Sequence, residues 1–345
     1  MGIRVGVIGC GSFGRNAYMR NVLSHGEADV VALCDVNAAS VEKAFEDYYP
    51  EETSGRPNVY DDYRDLLREE AIDVAMVGTM ADIRPDVTVA ALQRGAHVLA
   101  AKPMAFTLPD AERMIDEARA ADRHFMVGYN FRFRADATAM HAFIAGGGMG
   151  RPMFARAGSH EASVPTWGPH YIRAQSGGGS LASTAVHVID LAVWFLGSPE
   201  LEAATGQIQA RFHDLPSYPE KLEKVRSTYD TEDVVSGHVS FKSGQSMTVE
   251  GMWLAPEVVN KKGVDVWGTA GYASLEPFRL MSWKDGDYVD RTEEFLPSEF
   301  TDDSSQRTTK EVHHFIDCCL GKTTPLVTFD EMWTDQAIVD RIYQV

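Results

Sequence analysis

IRVGVIGCGSFG, Ile3 to Gly14, decides the fold of the first third of this chain. Ile3–Ile8 is a short apolar run of the kind buried in a parallel sheet. Gly9-Cys10-Gly11-Ser12-Phe13-Gly14 follows as G-x-G-x-x-G, and helical spacing runs from Gly14 to about His25. Strand, glycine loop and helix in that order let the backbone turn tightly and bring a pyrophosphate onto a helix N-terminus. The second strand, Val30–Cys34, ends at Asp35, 21 residues beyond Gly14. A carboxylate there accepts hydrogen bonds from a ribose diol and repels a 2′-phosphate, which favours NAD over NADP.

The alternation continues. Val41–Tyr49 and Tyr60–Glu69 have helical spacing, Asp73–Val77 is a strand, Pro85–Arg94 a helix and His97–Ala100 a strand. Thr107–Ala120 is a helix with its start marked by Thr107 and, three residues on, Asp110. His124–Gly128 is the last strand. Strand and helix in turn predict a doubly wound parallel sheet over 1–128. The character then changes. After a helix at Ala135–Ala145, the runs MFARAGS, LEAATGQIQARF, VVSGHVSF, SMTVEGMW, VDVWG and ASLEPF have strand-like features with few helices between them. They predict an α+β second domain over 129–345 with an open, largely antiparallel sheet. Thr309–Leu320 and Glu331–Tyr343 are closing helices, and the charged stretch Ser217–Asp233 reads as an exposed loop.

The chain has 345 residues, 44% hydrophobic and 24% charged, with a net charge of −18. That length suits two domains, and that field repels nucleic acid and anionic membrane surfaces. The cysteines Cys10, Cys34, Cys318 and Cys319 form no C-x-x-C pair, and the N-terminus runs directly into a strand without a signal-peptide pattern. Reduced thiols and a cytoplasmic setting are the expectation, with no apolar run near the ~18 residues of a membrane span. His313-His314 looks like a metal pair, but adjacent helical residues point ~100° apart. No third ligand is evident, so no metal is predicted.

Two further motifs carry polar groups. Ala101-Lys102-Pro103 follows a strand and so sits at the carboxyl end of the parallel sheet, where ligands bind. Gly177-Gly178-Gly179 leads into a helix on which Ser183, His187 and Asp190 fall at i, i+4 and i+7, on one face. Taken with Gly9–Gly14, Asp35 and Gly128-Tyr129-Asn130-Phe131-Arg132-Phe133, these motifs resemble the Gfo/Idh/MocA family. That is the family of glucose–fructose oxidoreductase and inositol 2-dehydrogenase.

The resemblance implies a Rossmann domain followed by a substrate and oligomerisation domain, often a homodimer or homotetramer through the open sheet. It implies NAD(P)-linked oxidation or reduction at a carbon of a sugar, cyclitol or related polyol. The family's catalytic lysine falls on Lys102 and its histidine on His187. Thr79, Met80 and Pro103 join the glycine loop and Asp35 as expected cofactor contacts. Three departures stand out: Ala101 where the family usually has Glu, Ser183 in place of a carboxylate one turn before the histidine, and Thr79-Met80-Ala81-Asp82-Ile83-Arg84 where a Thr-Pro turn and a nearby histidine are usual.

Hydride transfer from an alcohol requires a proton to leave as the C–H bond breaks. His187 suits a general base in oxidation and a general acid in reduction, and Lys102 suits stabilisation of alkoxide charge on the same oxygen. Without a carboxylate at position 183, the pKa of His187 is expected to lie below that of relatives. In the segment before the glycines, Trp167 offers a stacking face, while His170, Tyr171 and Arg173 offer hydrogen bonds to hydroxyls. Arg132 or Arg134 could reach an acidic substrate group, and Asp190 has a structural or substrate-side role. The glycine triplet is expected to be a flexible lead-in that brings the helix N-terminus to the nicotinamide. Two other readings stay open: a redox-neutral, NAD-dependent glycoside-cleaving enzyme, and a dinucleotide-binding sensor. The presence of both Lys102 and His187 argues against the sensor.

Overall fold

A computed structural model describes residues 2–49, 55–166, 168–218, 220–259, 261–296 and 304–344. The chain folds as two units. One holds the chain up to Gly128 together with the segment Asp303–Met332; the other holds Tyr129–Asp302 and Trp333–Val345.

In the first unit the apolar runs become β1 (Ile3–Ile8), β2 (Ala28–Cys34), β3 (Asn58–Tyr60), β4 (Val74–Val77), β5 (His97–Ala100) and β6 (Phe125–Val127). They pair in parallel in the order β3-β2-β1-β4-β5-β6, the order of a Rossmann sheet. Val74–Val77 and Phe125–Val127 are buried throughout, as strands covered on both faces must be. Local chemistry sets the helix starts. Asn37 accepts the Ala39 N–H, Asp62 the Arg64 N–H and Thr107 the Asp110 N–H. One sequence expectation is corrected here. Tyr60 does not begin a helix but ends β3, and the helix runs Tyr63–Glu69 behind its Asp62 cap. Three residues are too few to show a strand period.

The helix Ser304–Cys319 belongs to the first unit, so a cut at 128/129 alone does not describe the division. Its Thr309 Oγ1 donates to Asn21 Oδ1 at 2.7 Å, and His313 Nε2 lies 3.0 Å from Ser24 Oγ and 3.1 Å from the Asn21 carbonyl. His314 Nε2 accepts the Leu326 N–H at 3.0 Å. Both imidazoles thus tie the helix to its neighbours. Among the described residues no three metal-ligating side chains converge.

The second unit carries an eight-stranded sheet of β7 (Pro152–Glu161), β8 (Leu201–Gln209), β9 (Val234–Phe241), β10 (Ser246–Trp253), β11 (Lys261–Gly268), β12 (Gly271–Leu275), β13 (Phe278–Lys284) and β14 (Asp287–Asp290). The order is β14-β13-β12-β11-β7-β10-β9-β8, and among the described residues β7–β10 is the one parallel pairing in this sheet. β10 alternates strictly, with Met247, Val249, Gly251 and Trp253 buried. The opposite face is open and carries Trp267, Trp283 and Tyr288, which are 38%, 50% and 53% exposed.

Two more expectations change. The stretch Arg173–Phe195 is, by length and composition, apolar enough to cross a membrane, contrary to the sequence estimate, yet 94% of its most apolar window is buried inside the fold. Its apolar residues serve the core, with Leu181, Val188, Ile189, Leu191 and Phe195 fully buried, and the Trp253 indole N–H donates to Thr184 Oγ1 at 3.2 Å. Nor is Ser217–Asp233 a solvated loop. Leu222, Val225 and Tyr229 are buried in a cluster with Val164, Phe212 and Trp253. The three stand at i, i+3 and i+7, a short apolar stripe outnumbered by the charges around it, and they suffice to dock the segment.

Candidate active site

The glycine loop after β1 shows which glycines the fold itself demands. Gly9 has φ +91°, and a Cβ there would lie 2.7 Å from the Gly78 carbonyl carbon and the Thr79 nitrogen. A Cβ on Gly14 would lie 1.8 Å from the Gly9 carbonyl oxygen. A Cβ on Gly11, by contrast, would meet nothing within 4 Å. The first and third glycines are therefore needed for the turn and for packing, whereas the second leaves a bare backbone facing open space, where a pyrophosphate requires it. This lies where β1 and β4, neighbours in the sheet, diverge to opposite sides, the switch point at which such folds bind ligands.

Asp35 is half-buried beside the loop. Its two oxygens accept the Cys10 N–H at 2.7 Å and the Asn37 N–H at 2.8 Å, which fixes the carboxylate and leaves lone pairs for a diol. Cys10 contributes through its backbone: its thiol is buried and pushed up to about 12 by desolvation first and then by the charge of Asp35. Ser12 is exposed, and Phe13 packs edge-on against Tyr18 with ring centres 5.1 Å apart. After β4, Met80 is exposed, and the Thr79 hydroxyl is buried with no partner among the described residues. Lys102 and Pro103, joined by a cis peptide bond, are half-buried at the end of β5. The donors and the open cradle fit a dinucleotide.

Arg84 was not anticipated. It is 4% exposed, and its guanidinium donates to the carbonyls of both Thr79 and Pro103. Burial lowers its pKa to about 10, so it stays charged at neutral pH. It ties together the two turns expected to hold the nicotinamide. The only sequence hint was a cation inside the otherwise apolar Ile83–Pro85 step.

In the second unit, a wide turn at Leu181–Ala185, in which the Val186 N–H reaches back to the Leu181 carbonyl, precedes the helix Val186–Phe195. His187 stacks on Phe131 with ring centres 4.5 Å apart and planes within 12°. Ser183 Oγ lies 2.9 Å from His170 Nδ1, so an imidazole faces the hydroxyl that replaces the usual carboxylate. Tyr171 packs beside Tyr229, with ring centres 6.2 Å apart. Trp167 lies outside the described residues.

Arg132 is corrected. It is fully buried, and its Nε and Nη2 bind Asp190 at 2.9 and 2.7 Å in a closed ion pair, so its charge is spent on Asp190 rather than on a substrate. Asp190 is thereby structural. Arg134 is likewise 6% exposed and paired with Asp136 at 2.6 Å. Arginines after a strand look solvated in sequence because their partners are distant or masked by turns.

The glycine triplet is also corrected. Its helix end does not present free N–H groups to a ligand. The Glu232 carboxylate accepts the Gly179 N–H at 2.9 Å and the Leu181 N–H at 3.0 Å, and it accepts the Tyr343 hydroxyl at 2.8 Å. A Cβ on Gly178 would fall 1.9 Å from the Tyr343 oxygen, and one on Gly179 would fall 1.9 Å from the Glu232 carbonyl. The glycines allow close approach rather than flexibility. Arg173 leans on the same carboxylate from outside, at 3.5 Å.

Comparison with known proteins agrees with this geometry. The profile described as "Oxidoreductase family, NAD-binding Rossmann fold" matches residues 3–129, and that of the GFO/IDH/MocA C-terminal domain matches residues 137–274. D-glucoside 3-dehydrogenase of Escherichia coli strain K12 is 24% identical over 344 residues, spanning 99% of this chain and 95% of that protein. Inositol 2-dehydrogenase of Paracoccus denitrificans is 26% identical over 292 residues, spanning 83% and 81%. Levoglucosan dehydrogenase, solved with NADH and levoglucosan, shares the fold at a TM-score of 0.80 and 21% identity, spanning 100% of this chain and 97% of that one. An oxidoreductase from Agrobacterium radiobacter, solved with NAD+, L-tartaric acid and magnesium, also gives 0.80, at 19% identity and spanning 100% and 96%. With both halves matched, the chain belongs to the Gfo/Idh/MocA family of NAD-binding oxidoreductases.

Proposed function

We propose that this protein is a dehydrogenase that moves hydride between NAD and a secondary alcohol or ketone carbon of a sugar, sugar derivative or cyclitol. The observation that carries the proposal is the glycine loop, whose middle glycine alone is free of any packing demand, together with the acceptor carboxylate of Asp35. Relatives named for glucosides and inositols support the substrate class. When bound, NAD supplies the hydride acceptor. Gly9–Gly14 would receive its pyrophosphate, Asp35 its adenosine ribose, and the turns at Thr79-Met80 and Lys102-Pro103 its nicotinamide end. Asp35, with a fixed negative charge at the ribose, favours NAD over NADP.

The chain's own residues then handle the proton. His187, its ring plane held by Phe131, takes the hydroxyl proton in oxidation and returns it in reduction. Lys102 donates to the same oxygen and stabilises its growing charge. Ser183 and His170 bind neighbouring hydroxyls. A homodimer or homotetramer through the open face of the second sheet belongs to the same proposal, supported by the exposed Trp267, Trp283 and Tyr288.

The test is incubation with NAD and a panel of neutral sugars, glycosides and inositols, following both NADH and sugar products. NADH formed in step with a keto-sugar is expected. Glycoside cleavage without net NADH would replace this proposal with a redox-neutral one, and NAD binding without any product would leave a sensor.

A further inference from the structure

The four residues Asp230-Thr231-Glu232-Asp233, read from sequence as the end of a solvated loop, serve three segments of the second unit at once. Asp230 Oδ1 accepts the Arg173 N–H at 2.6 Å, and the Asp230 N–H donates to the Tyr171 carbonyl at 3.1 Å. Glu232 accepts the N–H groups of Gly179 and Leu181, and its own carbonyl accepts the Ser180 N–H at 3.0 Å. Asp233 accepts the Arg211 and Phe212 N–H groups at 3.1 and 2.7 Å. Each carboxylate thus caps a different piece of backbone.

Their targets differ in consequence. The Asp233 carboxylate holds the backbone of residues 211–212, and its own backbone pairs with Gln209 and Trp253. Asp230 holds the segment that carries His170 and Tyr171. Glu232, whose side chain is 2% exposed, holds the start of the helix that carries Ser183 and His187. The Tyr343 hydroxyl, which donates to Glu232, also accepts the Ala182 N–H at 3.3 Å, so the grip extends to the residue before Ser183. A negative charge at a helix start satisfies N–H groups that the helix cannot pair itself and favours the helix dipole. The Ser183–His170 contact joins this helix to the segment held by Asp230, so the run Asp230–Glu232 sets both sides of one hydrogen bond.

We infer that Glu232 is a positioning residue for the reaction. Through Gly179, Leu181 and Tyr343 it fixes the depth and rotation of the helix start, and so places Ser183 against His170 and aims His187. The inference rests on the proposed dehydrogenase reading for its kinetic consequence, but its structural consequence stands apart from that reading.

The test uses the full chain. In Glu232→Gln the amide oxygen can keep the donors that Oε1 accepts, but the negative charge at the helix start is lost and an NH2 in the place of Oε2 meets the Gly179 N–H and the Arg173 guanidinium, so the cap is weakened with little change in volume. With NAD and substrate, kcat is expected to fall on the order of 10- to 100-fold, the scale that misplacing a reacting group by about an ångström produces. The dissociation constant for NADH, read by fluorescence, should stay within about twofold, since the dinucleotide residues lie elsewhere in the chain. In the protein without NAD, amide hydrogen exchange at residues 179–187 should accelerate at least about tenfold while Val74–Val77 stays protected. Tyr343→Phe, a milder change that leaves the carboxylate in place, should move kcat and exchange in the same direction by less. Asp233→Asn should lower the melting temperature and leave kcat within about twofold. If Asp233→Asn and Glu232→Gln lose kcat alike, or if exchange at 179–187 is unchanged in both Glu232→Gln and Tyr343→Phe, the inference is overturned. If the unmodified protein oxidises no sugar, the dehydrogenase reading fails by itself, and the exchange data still decide the role of Glu232.

Discussion

Replacing Asp190 by Asn asks whether Arg132 belongs to the substrate or to the core. The side chains of Arg132 and Asp190 are both 0% exposed, and Asp190 accepts from Nε at 2.9 Å and from Nη2 at 2.7 Å. The guanidinium also lies 5.3 Å from the ring centre of Trp194. Removing the carboxylate leaves a buried guanidinium whose charge nothing on Asp190's side cancels, and such losses cost about 3–5 kcal/mol. At roughly 2–4 °C per kcal/mol for a unit of this size, the melting transition of the second unit should drop by roughly 6–20 °C. Calorimetry of Asp190→Asn, with Arg132→Met/Asp190→Leu alongside, measures it. The double variant should recover most of the loss, because a pair of buried apolar groups carries no desolvation cost. A loss below about 1 kcal/mol in Asp190→Asn, accompanied by a raised KM for substrate, would refute the reasoning and return Arg132 to the binding surface.

Gly11→Ala should fold with an unchanged melting temperature yet bind NADH at least about tenfold more weakly, because its methyl occupies only the cofactor's space; Gly14→Ala, whose Cβ would collide with the Gly9 carbonyl, should fail to fold the first unit stably, as denaturant titration will show. His97, desolvated and stacked on His124 with ring centres 4.9 Å apart, has its pKa lowered to about 4. The unfolded chain therefore binds more protons than the native one between about pH 6.5 and about 4, so stability must fall as pH drops through that window. Denaturation of His97→Gln should show a flatter pH dependence there. Ser183→Asp should move the lower inflection of the kcat/KM–pH profile for oxidation to higher pH, since a carboxylate beside the imidazoles favours their charged forms and the base must be neutral to act.

The parallel sheet was legible because its signals are local. The run Ile3–Gly14 contains the strand, the turn glycines and the helix start within twelve residues, and the burial of both sheet faces writes apolar runs into β4, β5 and β6. The second sheet was legible as alternation, most plainly in β10. What stayed hidden were pairings across long separations. Arg132 meets Asp190 58 residues away, and Gly179 meets Glu232 53 residues away. A charge read alone looks available, so Arg132 was offered to a substrate and the run Asp230–Asp233 to an exposed loop, when Asp190 holds Arg132 inside and Thr231, Glu232 and Asp233 are buried. The glycine triplet was taken for flexibility because a sequence shows the missing side chain but not the neighbour that requires it to be missing. Lys102 and His187 were singled out by where they stand, at the carboxyl end of β5 and on one face of an apolar helix with Ser183 and Asp190, together with the family resemblance that implies their roles.

Single-turnover hydride transfer, with NAD and a responsive sugar or cyclitol both saturating, tests the assignment of these two groups most directly. In Lys102→Ala and His187→Ala the rate should fall by roughly 10²–10⁴-fold with NADH binding retained, the loss expected when a positioned acid–base or charge-stabilising group is removed. Transfer within about tenfold of the unmodified rate in either variant would contradict the proposed chemistry.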